Sequence, residues 1–171
     1  LRKKQLLPFI KNKPIMILEG DYHFKNRSFF TSLFGKKILP IAVDDDFIKF
    51  QIDEKYVPNR KAIFTTRSDR NLEFLIKCWS SISSNSDNSS LHINPPYNLT
   101  DDQIKLGIRL RTKGNKIDLI NELSTSRVML NPGHKGEVFC LAAEEARELC
   151  VPIVTLGIGS LRERVEHGVT G

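Results

Sequence analysis

From Lys61 onward, apolar and polar positions alternate in short runs and helical stripes. Ala62-Ile-Phe-Thr-Thr66 is an apolar run of strand length. Asn71 to Ser83 places Leu72, Leu75, Ile76, Trp79 and Ile82 three or four positions apart, the spacing of one helix face. A polar turn, Ser83 to Ser90, leads to a short strand, Leu91-His-Ile93, which Pro95-Pro96 ends. The same rhythm predicts a strand over 106–110, a helix over 117–123 behind Gly114-Asn115, and a strand over 127–130. A helix over 138–149, a strand over 152–155 and the start of a last helix at 161–166 follow. Strands alternating with helices at this spacing predict an α/β fold: a Rossmann-like, open, mainly parallel sheet with helices on both faces. Before Lys61 the pattern is weaker. Ile15 to Leu18 and Lys37 to Val43 read as strands, Ser28 to Phe34 as helical between them, and Lys49 to Arg60 as a linker. The division is therefore a segment and linker over 1–60 and a nucleotide-binding type of unit over 61–171.

One charge breaks this pattern. At helical spacing Val138, Leu141, Ala142, Glu145, Ala146 and Leu149 share a face, and Glu145 alone among them is polar. Glu144, Arg147 and Glu148 fall on the opposite face and are expected in solvent. A carboxylate is rarely buried without a partner, so Glu145 is expected to face a cleft or a bound group. Glu137 lies eight positions earlier. On a single helix the rise would set the two backbones roughly 12 Å apart. That is too far for one proton-transfer pair, and beyond the roughly 5–10 Å of glycosidase carboxyl pairs.

Composition narrows the partners. The chain has 171 residues, a formal charge of +6 and a pI near 9.3, which favour anionic ligands. The one basic cluster, Arg2-Lys-Lys4, is short, and no basic stripe interleaved with aromatics occurs, so nucleic acid is not an expected partner. Cys78, Cys140 and Cys150 show no metal spacing, and an odd count argues against a disulfide framework. They fit a reducing compartment, with Cys78 and Cys140 as small core residues. No partnered histidine is placed to make Cys140 a nucleophile. No apolar stretch reaches membrane-spanning length. The chain starts at Leu1 and carries no signal peptide, which reads as a piece of something longer.

Ligands of open α/β sheets bind beyond the carboxyl ends of the strands. Three segments take that position: Arg67-Ser-Asp-Arg70, Asn131-Pro-Gly-His-Lys-Gly-Glu137 and Leu156-Gly-Ile-Gly-Ser160. Together they offer two guanidinium groups, flexible glycines and amides at helix starts, which suit a diphosphate. Carboxylates suit the hydroxyls of ribose or a sugar. Gly157-Ile-Gly159 lacks the third glycine of a dinucleotide fingerprint, which disfavours a nicotinamide-dependent enzyme.

Glu137-x7-Glu145, Val151-Pro-Ile-Val154 and Gly159-Ser-Leu-Arg-Glu-Arg-Val165 resemble the donor-binding half of group 1 (family 4) glycosyltransferases of GT-B architecture. Ser68 to Glu73 with Trp79 and the Leu91 strand is similar to the first β-α-β unit of that family. Leu39-Pro-Ile-Ala-Val-Asp44 with Phe47 is similar to its entry segment, and that placement fits Asp44-Asp-Asp46 better than a metal-chelating Asp-x-Asp does. The likeness runs from about Leu39 to Gly171. It implies a retaining hexosyltransferase of polysaccharide biosynthesis that binds a nucleoside-diphosphate sugar without a metal or other cofactor. Glu137 would contact hydroxyls of the transferred sugar and Glu145 the ribose. Arg67 and Arg70 would neutralise the diphosphate, so that Glu137, Arg67 and Arg70 form the catalytic set. Gly133, Lys135, Val138 and Phe139 complete the donor-binding set, with the amides around Glu137 to Phe139 acting through the helix dipole.

The resemblance also implies a saccharide or lipid-linked acceptor held by an N-terminal domain, of which residues 1–38 are a remnant. A cytoplasmic location follows, with peripheral association at the cytosolic membrane face allowed. Three departures stand out: Arg70-Asn71 replaces the usual Lys-Gly, Cys150 replaces a glycine before Val-Pro, and the last helices after Gly171 are missing. The alternative is a non-catalytic nucleotide- or sugar-binding module of a truncated or split protein.

Overall fold

The computed structural model describes residues 3–53, 55–112 and 114–171, so Arg2 of the basic cluster lies outside them. The central sheet grows outward from β3 (Asn59–Phe64). On one side β3 pairs with β4 (Ser90–Ile93), and β4 pairs with β5 (Ile108–Leu110). On the other side β3 pairs with β6 (Ser126–Leu130), which pairs with β7 (Ile153–Val154). Every pairing is parallel, and the order is β5-β4-β3-β6-β7. Chain direction across the sheet therefore reverses between β3 and β6. A smaller parallel pair, β1 (Met16–Leu18) with β2 (Lys36–Ile38), stands apart from this sheet.

Successive side chains of β3 point to opposite faces, and each face has its own core. Ala62 and Phe64 pack with Leu91, Ile93 and Ile108 under α5 (Leu72–Ser84), through Leu72, Leu75 and Trp79. Ile63 packs with Met129 and Ile153 under α7 (Lys116–Ser124) and α8 (Leu141–Glu148). Phe47 of α4 (Asp45–Lys49) joins that second cluster. Helices thus cover both faces, as the alternating pattern predicts. The Trp79 indole also donates to the Leu106 carbonyl at 2.9 Å, tying α5 to the entry of β5. Trp79→Phe is expected to cost about 1–3 kcal/mol through a lost hydrogen bond and unfilled volume, read as a lower urea midpoint.

Differences from the predicted elements have local causes. A capping box, Thr100 with Gln103, starts α6 (Asp101–Lys105), so β5 begins only at Ile108. Residues 39–43 are not strand, and the predicted helix at 161–166 is a 3-10 turn, Gly159–Glu163. Between β1 and β2 lie α2 (Asp21–Lys25) and α3 (Phe29–Ser32), while α1 (Lys3–Asn12) precedes them. The largest correction concerns α8. It starts at Leu141 rather than Val138, because Cys140 adopts a left-handed backbone (φ 64) that ends the preceding turn. Glu137 is therefore in a loop and not on the helix of Glu145, and the separation set by helical rise does not apply. The burial stripe moves as well. Ala143 and Ala146 face the core, Glu144 is buried at 4% exposure, and Glu145 is half-buried at the stripe's edge.

Candidate functional site

The carboxyl ends of β3 and β6 meet where the strand order reverses, the place at which doubly wound sheets bind ligands. Here the structure brings the three predicted loops together. Asn71, in a left-handed conformation, donates its side-chain amide to the Gly133 carbonyl. Arg70 reaches His134, its Nη1 3.0 Å from the ring Nδ1. Gly133 forms a parallel bridge with Ile158, and the Ser160 N–H donates to the Glu137 carbonyl at 3.0 Å. Gly159 has a positive φ of 74°, and a Cβ there would collide with the His134 carbonyl oxygen. Only glycine lets these two loops close on each other.

Several buried oxygens at this edge have no hydrogen-bond partner among the described residues: Thr65 Oγ1, Thr66 Oγ1, Glu137 Oε2 and Ser160 Oγ. Glu137 is only 9% exposed. A buried carboxylate oxygen without a donor is costly, and the cost is removed by a group that supplies one. Phe139 is buried beneath the Arg164 guanidinium, 4.1 Å from its ring centre. Lys135 is exposed, and its carbonyl accepts from the Tyr22 hydroxyl at 2.7 Å. Val138 is half-buried. Arg67 and Arg70 part company. Arg67 is 76% exposed and paired with Asp69 at 2.7 Å, whereas Arg70 is 17% exposed and turned to the 131–137 loop. The amides of Glu137 to Phe139 precede α8 and are not part of its first turn.

Glu145 lines a neighbouring cleft of about 540 Å³ that begins at Thr65, the end of β3. Opposite it stand Asn94 after β4, Arg111 after β5, Lys116 at the start of α7, and Asp44. Burial pushes the Glu145 carboxyl above the usual range, Arg111 opposes that shift, and Asp44 adds to it. Arg111 is itself fixed: Nε donates to Glu122 at 2.8 Å and Nη1 to Asn94. Burial alone would push the Glu122 carboxyl up, but hydrogen bonds from His92 and Arg111 hold it below the usual range. His92 is thus a half-buried partner of Glu122. Lys116 binds Asp44 and Asp46, so two members of the acidic run are engaged with a cation. Among the described residues, no group of three or more His, Cys, Asp or Glu converges as a metal site. Burial also raises the Cys140 thiol far above its ordinary value, which keeps it protonated.

Arg111, Asn94 and Lys116 escape a reading of the sequence. Asn94 follows β4, while Arg111 and Lys116 follow β5, and only the sheet order makes them neighbours of Glu145. A larger cavity, about 990 Å³, lies at the amino edge under Tyr56 and Ser126, and among the described residues Asp53 is the one charged group on its wall. The smaller cleft carries four charged groups among the described residues and lies at the carboxyl ends of β3, β4 and β5, so chemistry favours it over size. No helix among the described residues is long and apolar enough to cross a membrane.

No protein-family model and no curated protein matches the chain by sequence. Its fold does match solved structures. Sucrose-phosphate synthase from Thermosynechococcus elongatus aligns with 95% of this chain and 46% of its own length, at 13% identity and a TM-score of 0.68. Anabaena Alr3699/HepE, in complex with UDP and glucose, aligns with 98% of this chain and 59% of its own, at 14% identity and 0.64. AviGT4, a glycosyltransferase involved in avilamycin A biosynthesis, aligns with 86% and 46%, at 11% and 0.58. The chain spans from about a third to three-fifths of the length of such structures. At these identities the likeness fixes architecture alone: the chain has the Rossmann-like α/β fold of GT-B glycosyltransferase structures.

Proposed function

We propose that this chain is the donor half of a retaining group 1 (family 4) glycosyltransferase, binding a nucleoside-diphosphate sugar for transfer to a saccharide or lipid-linked acceptor. The observation that carries the reading is the buried, partnerless Glu137 oxygen at the edge where the strand order reverses. A sugar hydroxyl supplies the donor that this oxygen lacks. Glu145, ionised against its desolvation, accepts from ribose hydroxyls in the adjoining cleft, whose mixed donors and acceptors suit a base. Arg70 takes the diphosphate, and Arg67, at the rim, exchanges Asp69 for phosphate. Charge neutralisation by guanidinium groups stabilises the departing diphosphate without calling on a metal.

The division at residue 60 belongs to the same proposal. Parallel sheets are normally covered on both faces, yet β1 and β2 form a pair with Ile15, Ile17 and Ile38 exposed. That pattern supports reading residues 1–60 as the edge and linker of an acceptor-binding layer. Calorimetry against UDP-, GDP- and ADP-sugars is expected to show weak binding of one class. A turnover assay on the same chain is expected to show little or no transfer, since the reaction needs both layers. Robust transfer to an acceptor would refute the division of labour, and failure to bind any of the three would refute the donor reading.

A further inference from the structure

We propose that His134 is the positioning residue that aims Arg70 at the diphosphate, through an Nδ1 lone pair left open by a ring hydrogen on Nε2. This rests on the donor reading above. The His134 Nδ1 stands 3.0 Å from Arg70 Nη1 and 3.0 Å from the Gly136 backbone nitrogen. A guanidinium and a backbone N–H can only donate. One ring nitrogen facing two donors must offer its lone pair to both, so the ring hydrogen sits on Nε2.

The backbone that carries the ring is fixed. The His134 carbonyl accepts from the Glu137 N–H at 3.0 Å, and Gly159 closes against that same oxygen. Arg70 has a weaker hold elsewhere: Asp69 is 3.9 Å from its Nε. The charged and titratable groups around the ring are Arg70 and Asp69 from the turn after β3, and Lys135 and Glu137 from its own loop. Tyr22 approaches from α2, through the Lys135 carbonyl. Protonating Nδ1 would put a hydrogen between the ring and both donors and a like charge beside the guanidinium. Arg70 would then lose its bracket and swing away from the Glu137 loop.

The test uses UDP-glucose, GDP-mannose and ADP-glucose, with the tightest binder carried forward beside its nucleoside. His134→Ala is expected to weaken the sugar nucleotide by about five- to tenfold while leaving the nucleoside unchanged, the scale of one ordinary hydrogen bond. His134→Asn should restore affinity, because its amide oxygen accepts from nearly the same place as Nδ1. Equal losses for nucleoside and sugar nucleotide, or no rescue by asparagine, would overturn the role of His134. If Arg70→Ala still weakens binding in that case, the donor reading survives. If no sugar nucleotide binds, both fall.

Discussion

Glu145→Gln is expected to weaken sugar-nucleotide binding by about a hundredfold and to make the ligand-free chain more stable at neutral pH. Under the proposed donor reading, the first effect is the loss of two charge-assisted hydrogen bonds to ribose, each on the order of 1.5–3 kcal/mol, partly replaced by weaker neutral ones. The second follows from the raised pKa of the carboxyl, which desolvation causes. A carboxyl with a higher value folded than unfolded holds its proton more tightly in the native state. Its contribution favours folding below the ordinary carboxylate range and is lost as pH rises through the folded value. At neutral pH the ionised group opposes folding, and glutamine removes that cost. Urea midpoints for both proteins across about pH 4 to 8 should therefore diverge as pH rises, with the variant above. Calorimetry on the same samples reads the affinity. A variant that binds as wild type does would remove Glu145 from the site, and one that is less stable at neutral pH would show that its carboxylate serves packing.

That opposition between stability and binding explains why this position could be singled out from sequence. A charge within an apolar stripe breaks the local rule, and such breaks gather at functional sites. The β-α alternation after Lys61 was legible for a related reason. Strands of a parallel sheet are buried on both faces and read as continuous apolar runs, as in Ala62 to Phe64. What could not be read depends on tertiary geometry. The left-handed turn at Cys140, a residue with no intrinsic preference for it, shortens α8 and puts Glu137 in a loop. The position of Arg111 beside Glu145 requires the order β5-β4-β3-β6-β7, which periodicity does not specify. Glu144 was expected in solvent because its partner, Arg164, lies 20 residues away in the chain.

That pair carries the largest stability effect expected of any single polar contact here: Arg164→Met should cost about 3 kcal/mol. Glu144 is nearly inaccessible, and Arg164 is 15% exposed. The Arg164 Nη1 donates to Glu144 at 3.2 Å, Nη2 donates to the Glu19 carbonyl at 3.2 Å, and the guanidinium lies over Phe139. Removing one partner of a buried pair strands the other charge, at roughly 3–5 kcal/mol. Arg147 also binds Glu144 from the half-exposed side, which keeps the cost at the lower end of that range. Converting Glu144→Leu in the Arg164→Met background should recover most of the loss, since two apolar groups need no counter-charge. Urea unfolding of the two single variants and the double variant forms the cycle. A single-variant cost under about 0.5 kcal/mol would place the pair with surface ion pairs, whose worth is that small. The full cost with recovery would instead identify Arg164 as the strut joining three parts: α8, the Phe139 turn beside Glu137, and the segment ahead of α2. Glu137 and Glu145 would then owe their relative placement to a cation that touches neither of them.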